Sequence, residues 1–420
     1  MTASRILVRA GKDPLTPLSA ERSLSIRRNG VFGTNAGNML FYTAAWRTLL
    51  TRDVVLEADA YAMEREDPAR VAARLNAEYD RVVIPLANAF RRSFLPNLDR
   101  LTEVVRRLEI PVTVLGVGAQ FGLNAAVEEA PSELRDSVRA FVAAVLDRSP
   151  SIGVRGETTH AFLRDLGFAD DSVEVIGCPS LYGFGPAPAL GAVGPLTSRS
   201  RLAVTYSPYL RDAGTFVQAV TTAFPDSYVV PQTVEALALM LWREPTAHAA
   251  DRRLPESADH ELYRTDRMRF FVDATTWIDT LRSRDLVVGT RIHGTIAGVL
   301  AGVPAILIAH DSRTRELAEF HAIPVVRKAG LRRVDVERWY DAVDFGAFAA
   351  RHPANAELFR RFLERHGLAH TLADPAPRFD RELAGVALAP PVHTADAKGA
   401  AGRRSTAARL RRALQRRVRR

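Results

Sequence analysis

The sequence is short of cysteine, of lysine and of long apolar runs. One cysteine, Cys178, stands among 420 residues, so an intrachain disulfide is excluded and a reducing compartment is expected. The opening stretch MTASRILVRAGKD has no apolar h-region, and a secretory signal is not expected there. The longest weakly polar stretch, 296–309, spans 14 residues and holds Gly298, Gly302 and Pro304. That is short of the ~20 residues a membrane-spanning helix needs. These absences predict a cytoplasmic protein with a soluble body. Only three of the 57 basic residues are lysine, a bias that reads as genomic base composition and carries no functional meaning.

What is present is length and an uneven distribution of charge. A chain of 420 residues is expected to form two domains. Its 47% hydrophobic and 25% charged content suits a globular protein with a sizeable core. Residues 391–420 hold ten basic residues and one acid, which accounts for the whole net charge of +9 and leaves residues 1–390 neutral. A neutral body gives no electrostatic support to a specific nucleic-acid partner. Within 407–420, Leu410, Leu414 and Val418 recur at i, i+4 and i+8 among arginines. Such a helix can lie on an anionic membrane surface, so peripheral contact at the inner face of the membrane is expected from this basic tail. The alternatives are a disordered solubilising tail or a basic arm meeting nucleic acid nonspecifically.

Apolar β-branched runs alternate with stretches of helical periodicity, the pattern of parallel α/β sheets. The runs predict strands at 81–85, 112–116, 152–155, 173–176, 202–206, 228–231, 286–289 and 305–309. Helices are predicted at 40–50, 98–107, 132–147, 157–166, 215–223, 275–284, 294–301 and 314–320. The Gly/Pro/Ala-rich stretch around 186–200 is the expected linker. It divides the chain into an N-terminal Rossmann-like domain, 1–185, and a C-terminal one, 201–375, followed by a Pro/Ala-rich segment and the tail, 376–420.

The sharpest chemical signal is DLVVGTRIHGTIAGVLAGVPAILIAHD, residues 285–311. A strand runs into Arg291, Ile292 and His293, and Gly294 opens a helix of small residues. In open α/β sheets ligands sit at the carboxyl ends of strands, where helix N-termini offer unpaired amides. An arginine and a histidine on that turn make an anion site beside a titratable group. On residues alone, pairing of Arg291 with a surface carboxylate and helix capping by His293 is the competing reading. The run from Gly33 to Gly37 lacks the lysine of a phosphate-binding P-loop. No cluster of His, Cys, Asp and Glu has metal-ligand spacing.

The segment 285–311 resembles the C-terminal signature of polysaccharide pyruvyl transferases: a strand, Arg-hydrophobic-His, a helix, a Gly-x-Pro strand and an Asp-containing loop. Four further stretches resemble that family, in order. They are Gly33-Thr34-Asn35-Ala36-Gly37-Asn38, Gly116-Val117-Gly118, the Arg155 turn in Ser151-Ile152-Gly153-Val154-Arg155-Gly156-Glu157-Thr158, and Val230-Pro231-Gln232. The resemblance implies an α/β fold of two Rossmann-like domains facing a cleft, as in GT-B glycosyltransferases. It also implies phosphoenolpyruvate as donor and a sugar diol of a surface polysaccharide precursor as acceptor, an acceptor that can be lipid-linked.

Ketal formation from that donor gives the motif residues roles. Phosphoenolpyruvate carries a carboxylate and a phosphate, both suited to planar guanidinium groups. Arg155 and Arg291, one from each domain, are expected to clamp it, with Ile292, His293 and Gly294 completing the donor site. Arg291 and His293 are the expected catalytic residues, His293 moving protons with an ordinary pKa of roughly 6.5. Asn35, Gly37, Asn38, Glu157, Gln232 and Asp311 are expected to line the acceptor side or the cleft. No metal is expected, and no cofactor besides phosphoenolpyruvate as co-substrate. Of the tryptophans, only Trp242 is a candidate for an acceptor groove. Asn38 and Cys178 stand where members often have acids, and Arg313 where a lysine is common. A GT-B-type glycosyltransferase using a nucleotide-sugar, or an inactive binding homologue, are the alternative readings.

Overall fold

A computed structural model describes residues 3–25, 30–33, 35–123, 126–191, 194–244 and 251–394. Thr34 and the basic tail, with the membrane-surface helix expected at 407–420, lie outside the described residues. Short apolar runs become strands buried on both faces, as parallel sheets covered by helices require. Strands β1 (Ser4–Val8), β2 (Val54–Ala58), β3 (Arg81–Pro85) and β4 (Val112–Leu115) pair in parallel in the order β2-β1-β3-β4. Strands β5 (Ile152–Val154) and β6 (Val173–Val175) form a parallel pair that joins β4's end through a bridge between Val117 and Val154. The second sheet takes β7 (Leu202–Thr205) and β8 (Tyr228–Val230), followed along the chain by β9 (Arg269–Phe270), which lies outside it. Strands β10 (Leu286–Gly289), β11 (Ala305–Ala309) and β12 (Val325–Arg327) complete it in the order β12-β11-β10-β7-β8. A small antiparallel ribbon pairs β9 with β13 (Val392–His393).

Counted within itself, each sheet runs 2-1-3-4 and onward. This is a doubly wound order whose direction reverses between its first and third strands, and ligands of such sheets bind beyond the strand ends at that reversal. In the second sheet the reversal lies between β7 and β10, and β10 runs directly into Arg291. The chain is therefore α/β with two Rossmann-like units. The eight strands expected from sequence are present to within one residue and the eight helices to within three. The missed strands are β1 and β2, five residues each, the two-residue β9 and β13, and β12, an edge strand with Val325 exposed and no continuous apolar run to announce it.

Five helices position the site. Helix α1 (Gly37–Leu49) is buried at all positions except Asn38 and Arg47. A helix apolar all round belongs inside a protein, and α1 shares one continuous core with the second sheet. It packs there on α3 (Ile292–Leu300), which follows β10. Helix α2 (Glu157–Asp165) follows β5, and α4 (Ser312–His321) follows β11. The last is α5 (Ala347–Arg365), which touches α4 through Asn355 Nδ2 donating to the Phe320 carbonyl at 2.9 Å. It lies within the expected C-terminal domain, yet it packs on the first sheet. The Arg81 Nη1 donates to the His366 carbonyl at 2.7 Å, and the His366 ring meets Ser151 Oγ at 2.9 Å. The Phe362 ring fills the space beside Gly153. Beyond α5, Arg47 Nε on α1 donates to Asp380 Oδ1 at 2.7 Å. The sequence hid α5 because Pro353 lies inside it, and an internal proline reads as a helix breaker.

Among the described residues no helix is long and apolar enough to cross a membrane. Phe362 is fully buried. Phe362→Ala is expected to destabilise the protein by about 3–5 kcal/mol, the usual loss for a buried aromatic, measured by urea denaturation. A change near zero would show that α5 is not part of the first unit's core.

Candidate functional site

The loop before α1 is stitched to the far end of β8. Ala36 N–H donates to the Gln232 carbonyl at 2.8 Å, Asn35 pairs with Thr233 as an isolated antiparallel bridge, and Gly37 N–H donates to Asn35 Oδ1 at 2.7 Å. Asn38 turns inward on its own loop, its Nδ2 donating to the Phe32 carbonyl at 2.8 Å. These bonds set Gly37 directly against His293. A Cβ at position 37 would lie 2.7 Å from both Cβ and Nδ1 of His293, a separation no side chain tolerates, so only glycine lets α1 begin there.

One turn on, Phe41 links the two halves of the site. Its ring centroid lies 6.3 Å from that of His293, and the Arg155 guanidinium carbon stands 5.0 Å from the same centroid. Arg155, at the end of β5, is fully buried. Its Nε donates to the Gly116 carbonyl at 2.7 Å, while Nη1 and Nη2 are buried with no partner among the described residues. Burying unpaired charged donors costs several kcal/mol. Stability alone does not explain such an arginine.

On the facing side, Arg291 occupies the N-cap position of α3 and its Nε donates to the Tyr206 carbonyl at 3.1 Å. Its guanidinium lies 5.5 Å from the Tyr209 ring, which is 49% exposed and marks where the cluster meets solvent. Ile292 anchors the turn in the core. Gly294 lies close to Thr205 and to the Gln232 amide. His293 is buried, and its Nε2, like Gln232 Nε2 and Thr205 Oγ1, has no partner among the described residues. Burial first, then Arg155, Arg313 and Arg291, pushes the imidazole well below its ordinary pKa, so His293 is neutral near pH 7.

Two more arginines belong to this neighbourhood. Arg91, just beyond β3, has its basicity lowered by burial and then by Arg313 and Arg291. Arg313, on the first turn of α4, pairs with Asp311 at 3.4 Å. Burial alone would raise the Asp311 carboxyl, but Arg313, His310 and the bonds from Thr314 together hold it below its usual range. Asp311 also caps α4, its Oδ1 accepting from Thr314 N at 2.8 Å. Glu316 is buried among Arg155, Arg313 and Thr159, and burial lifts its carboxyl to about 7. Four guanidinium groups thus face two carboxylates and a neutral imidazole. The site carries surplus positive charge in a poorly solvated place, which suits a small, multiply charged anion.

Of the residues expected from sequence, the fold brings Arg155, Arg291, His293, Gly294, Gly37, Gln232 and Asp311 together. Asn35 and Asn38 serve as loop struts. Glu157 is exposed on the first turn of α2, and Glu316 takes the buried side of that turn. Trp242 lies 36% exposed, while Trp46 and Trp277 are core. Cys178 has a histidine neighbour that its sequence surroundings do not suggest: its backbone N–H donates to His321 Nε2 at 2.8 Å, a structural bond. Arg91, Phe41 and Glu316 were missed. Arg91 alone had a usable signal, its place past the end of a strand at the first sheet's reversal.

No curated protein matches the chain. Solved structures similar to it include three UDP-N-acetylglucosamine 2-epimerases. That of Rickettsia bellii has 11% identity and a TM-score of 0.47, with 86% of this chain and 96% of that one covered. That of Methanocaldococcus jannaschii has 11% identity and a TM-score of 0.43, covering 87% and 99%. That of Neisseria meningitidis has 8% identity and a TM-score of 0.41, covering 86% and 100%. A family model described as polysaccharide pyruvyl transferase matches residues 35–312, from the Asn35 loop through Arg155, Arg291 and His293 to the start of α4. The chain belongs to the polysaccharide pyruvyl transferase family.

Proposed function

We propose that this pyruvyl transferase takes its pyruvyl group from phosphoenolpyruvate and sets it as a ketal on two hydroxyls of a saccharide, a precursor of a surface polysaccharide that can be lipid-linked. The observation that carries the reading is Arg155, fully buried with both terminal nitrogens unpartnered among the described residues, in the same neighbourhood as Arg291 and His293. The donor's phosphate, carrying about −1.5 to −2, and its carboxylate together match a cluster of four guanidinium groups. Nucleotide-sugars offer a diphosphate but no carboxylate of this kind.

The chemistry balances without an outside reagent. One acceptor hydroxyl adds to the central carbon of the enol and its proton, or an equivalent one, ends on the methylene, which becomes methyl. The second hydroxyl adds at the same carbon as the bond to phosphate breaks, and its proton leaves with inorganic phosphate. His293 enters as a neutral base, because burial and three guanidinium groups hold it so. It can accept a hydroxyl proton at Nε2 and pass it on. The arginines stabilise charge as it moves onto the leaving phosphate.

Arg155→Ala is expected to weaken phosphoenolpyruvate binding by ~2–4 kcal/mol in calorimetry. Unchanged affinity, or binding of a nucleotide-sugar in place of phosphoenolpyruvate, would overturn the donor assignment. His293→Gln should retain donor binding and lose ~10²–10⁴-fold in turnover; turnover near the parent's would leave His293 a packing residue.

A pH dependence follows with a definite sign. Burial first and then the arginines depress His293; a bound anion counters the arginine part, so its pKa rises on binding and the complex holds more proton than the free enzyme. Affinity should therefore fall as pH rises through the raised value. Calorimetry in buffers of different ionisation enthalpy should show greater proton uptake for the parent than for His293→Gln. Equal uptake by the two would show that His293 does not titrate with binding.

A further inference from the structure

Helix α2 begins immediately after Arg155, and it begins without a cap of its own. The N-cap position is Gly156, which has no side chain, and no side-chain capping bond is made from within the segment. The first N–H groups of a helix need acceptors, and a capping oxygen ordinarily receives the N–H of the second or third helical residue. Here that oxygen comes from the other Rossmann-like unit. Glu316, on α4, accepts the Thr159 backbone N–H at Oε2 over 3.0 Å, and Thr159 Oγ1 donates to Oε1 over 2.9 Å. Thr159 is the third residue of α2. A Cβ at position 156 would stand 3.1 Å from both Cβ and Oε2 of Glu316, close enough that the carboxylate would have to give by a few tenths of an ångström.

The arrangement continues toward Arg155. Thr159 Oγ1 accepts the Ala119 N–H at 3.0 Å, and the neighbouring Gly118 lies so close to Arg155 that a Cβ there would be 2.9 Å from its Cδ. Glu316, Thr159 and Ala119 thus form one bonded chain whose neighbour Gly118 lies against the Arg155 side chain, while Gly116 takes its Nε. Other residues of α4 grip the same loop. Ser312 Oγ accepts from Phe121 N at 2.9 Å, and Arg315 Nη1 donates to the Leu123 carbonyl at 2.7 Å.

We propose that Glu316 is a positioning residue that caps α2 across the boundary between the two units and so fixes the Arg155 side chain for anion binding. Its effect on donor affinity rests on the phosphoenolpyruvate reading; its effect on the α2 turn does not. The charged groups near the carboxylate are Arg155 and Arg313, so it also offsets part of the guanidinium surplus.

The test compares the full chain with Glu316→Ala, Glu316→Gln and Thr159→Val. Amide hydrogen exchange is read over residues 118–123 and 156–163, and phosphoenolpyruvate affinity by calorimetry. Glu316→Ala is expected to speed exchange in both segments by at least about tenfold and to weaken donor binding by about tenfold, the scale of one lost buried charged hydrogen bond. Glu316→Gln keeps an oxygen for the Thr159 N–H and should stay within about threefold of the parent in both readings. In an Arg155→Ala background, Glu316→Ala should bring no further loss of affinity. Should Glu316→Ala not fold, Thr159→Val decides, with faster exchange over 118–123 and a weaker donor expected. Unchanged exchange, or losses that add with Arg155→Ala, would overturn the proposal. Failure of the parent to bind phosphoenolpyruvate would count against the donor reading alone, and the exchange result would still decide the cap.

Discussion

Arg155 is the group around which the molecule is arranged. A guanidinium removed from water, with one donor committed to protein and two left over, is a large local penalty that a protein of marginal stability must offset elsewhere. The offset is visible in its surroundings. The Phe41 ring lies against it, the Gly116 carbonyl takes one bond, and Glu316 from the other unit supplies opposite charge nearby. Each of these contacts constrains a different element. Phe41 fixes the depth of α1, Gly116 the end of β4 and Glu316 the seat of α4. The position of one charged side chain is therefore written into three places in the fold.

The same constraint accounts for the character of α1. Helices in α/β proteins usually bury one stripe and expose another, yet α1 is buried nearly all round because it lies between the two sheets instead of over one. Its N-terminus meets His293 through Gly37, its middle meets Arg155 through Phe41, and its end is held by Arg47 to Asp380 and to the Gly183 carbonyl. One helix thus registers Arg155 of one unit against His293 of the other.

Sequence made part of this readable. Arg291 and His293 could be found because strand end, charged turn and small-residue helix are adjacent in the chain, so local pattern and site coincide. Arg155 was readable for the same reason. Gly37 was legible as a turn residue, but its contact with His293 links positions 256 residues apart in the chain, and no periodicity reports that. Glu316 sits inside a helix with no motif around it. Its importance comes from the missing cap at Gly156 on another element, a fact about two places at once. The α5 helix was hidden twice, by Pro353 within it and by a packing partner far back in the sequence.

The return of α5 to the first sheet has a mechanical consequence. The chain crosses between the two units three times, once after residue 182, again before α5, and a third time between Asp380, which pairs with Arg47 of the first unit, and β13, which pairs with β9 of the second; the α1 loop and α4 bind across the same boundary. Three joining segments of chain, together with these bonds, restrain sliding and twisting of one unit on the other. Any opening between the units would draw the Ala36 N–H away from Gln232 and lift Gly37 off His293. The geometry of the imidazole and the angle between the units are therefore a single coordinate.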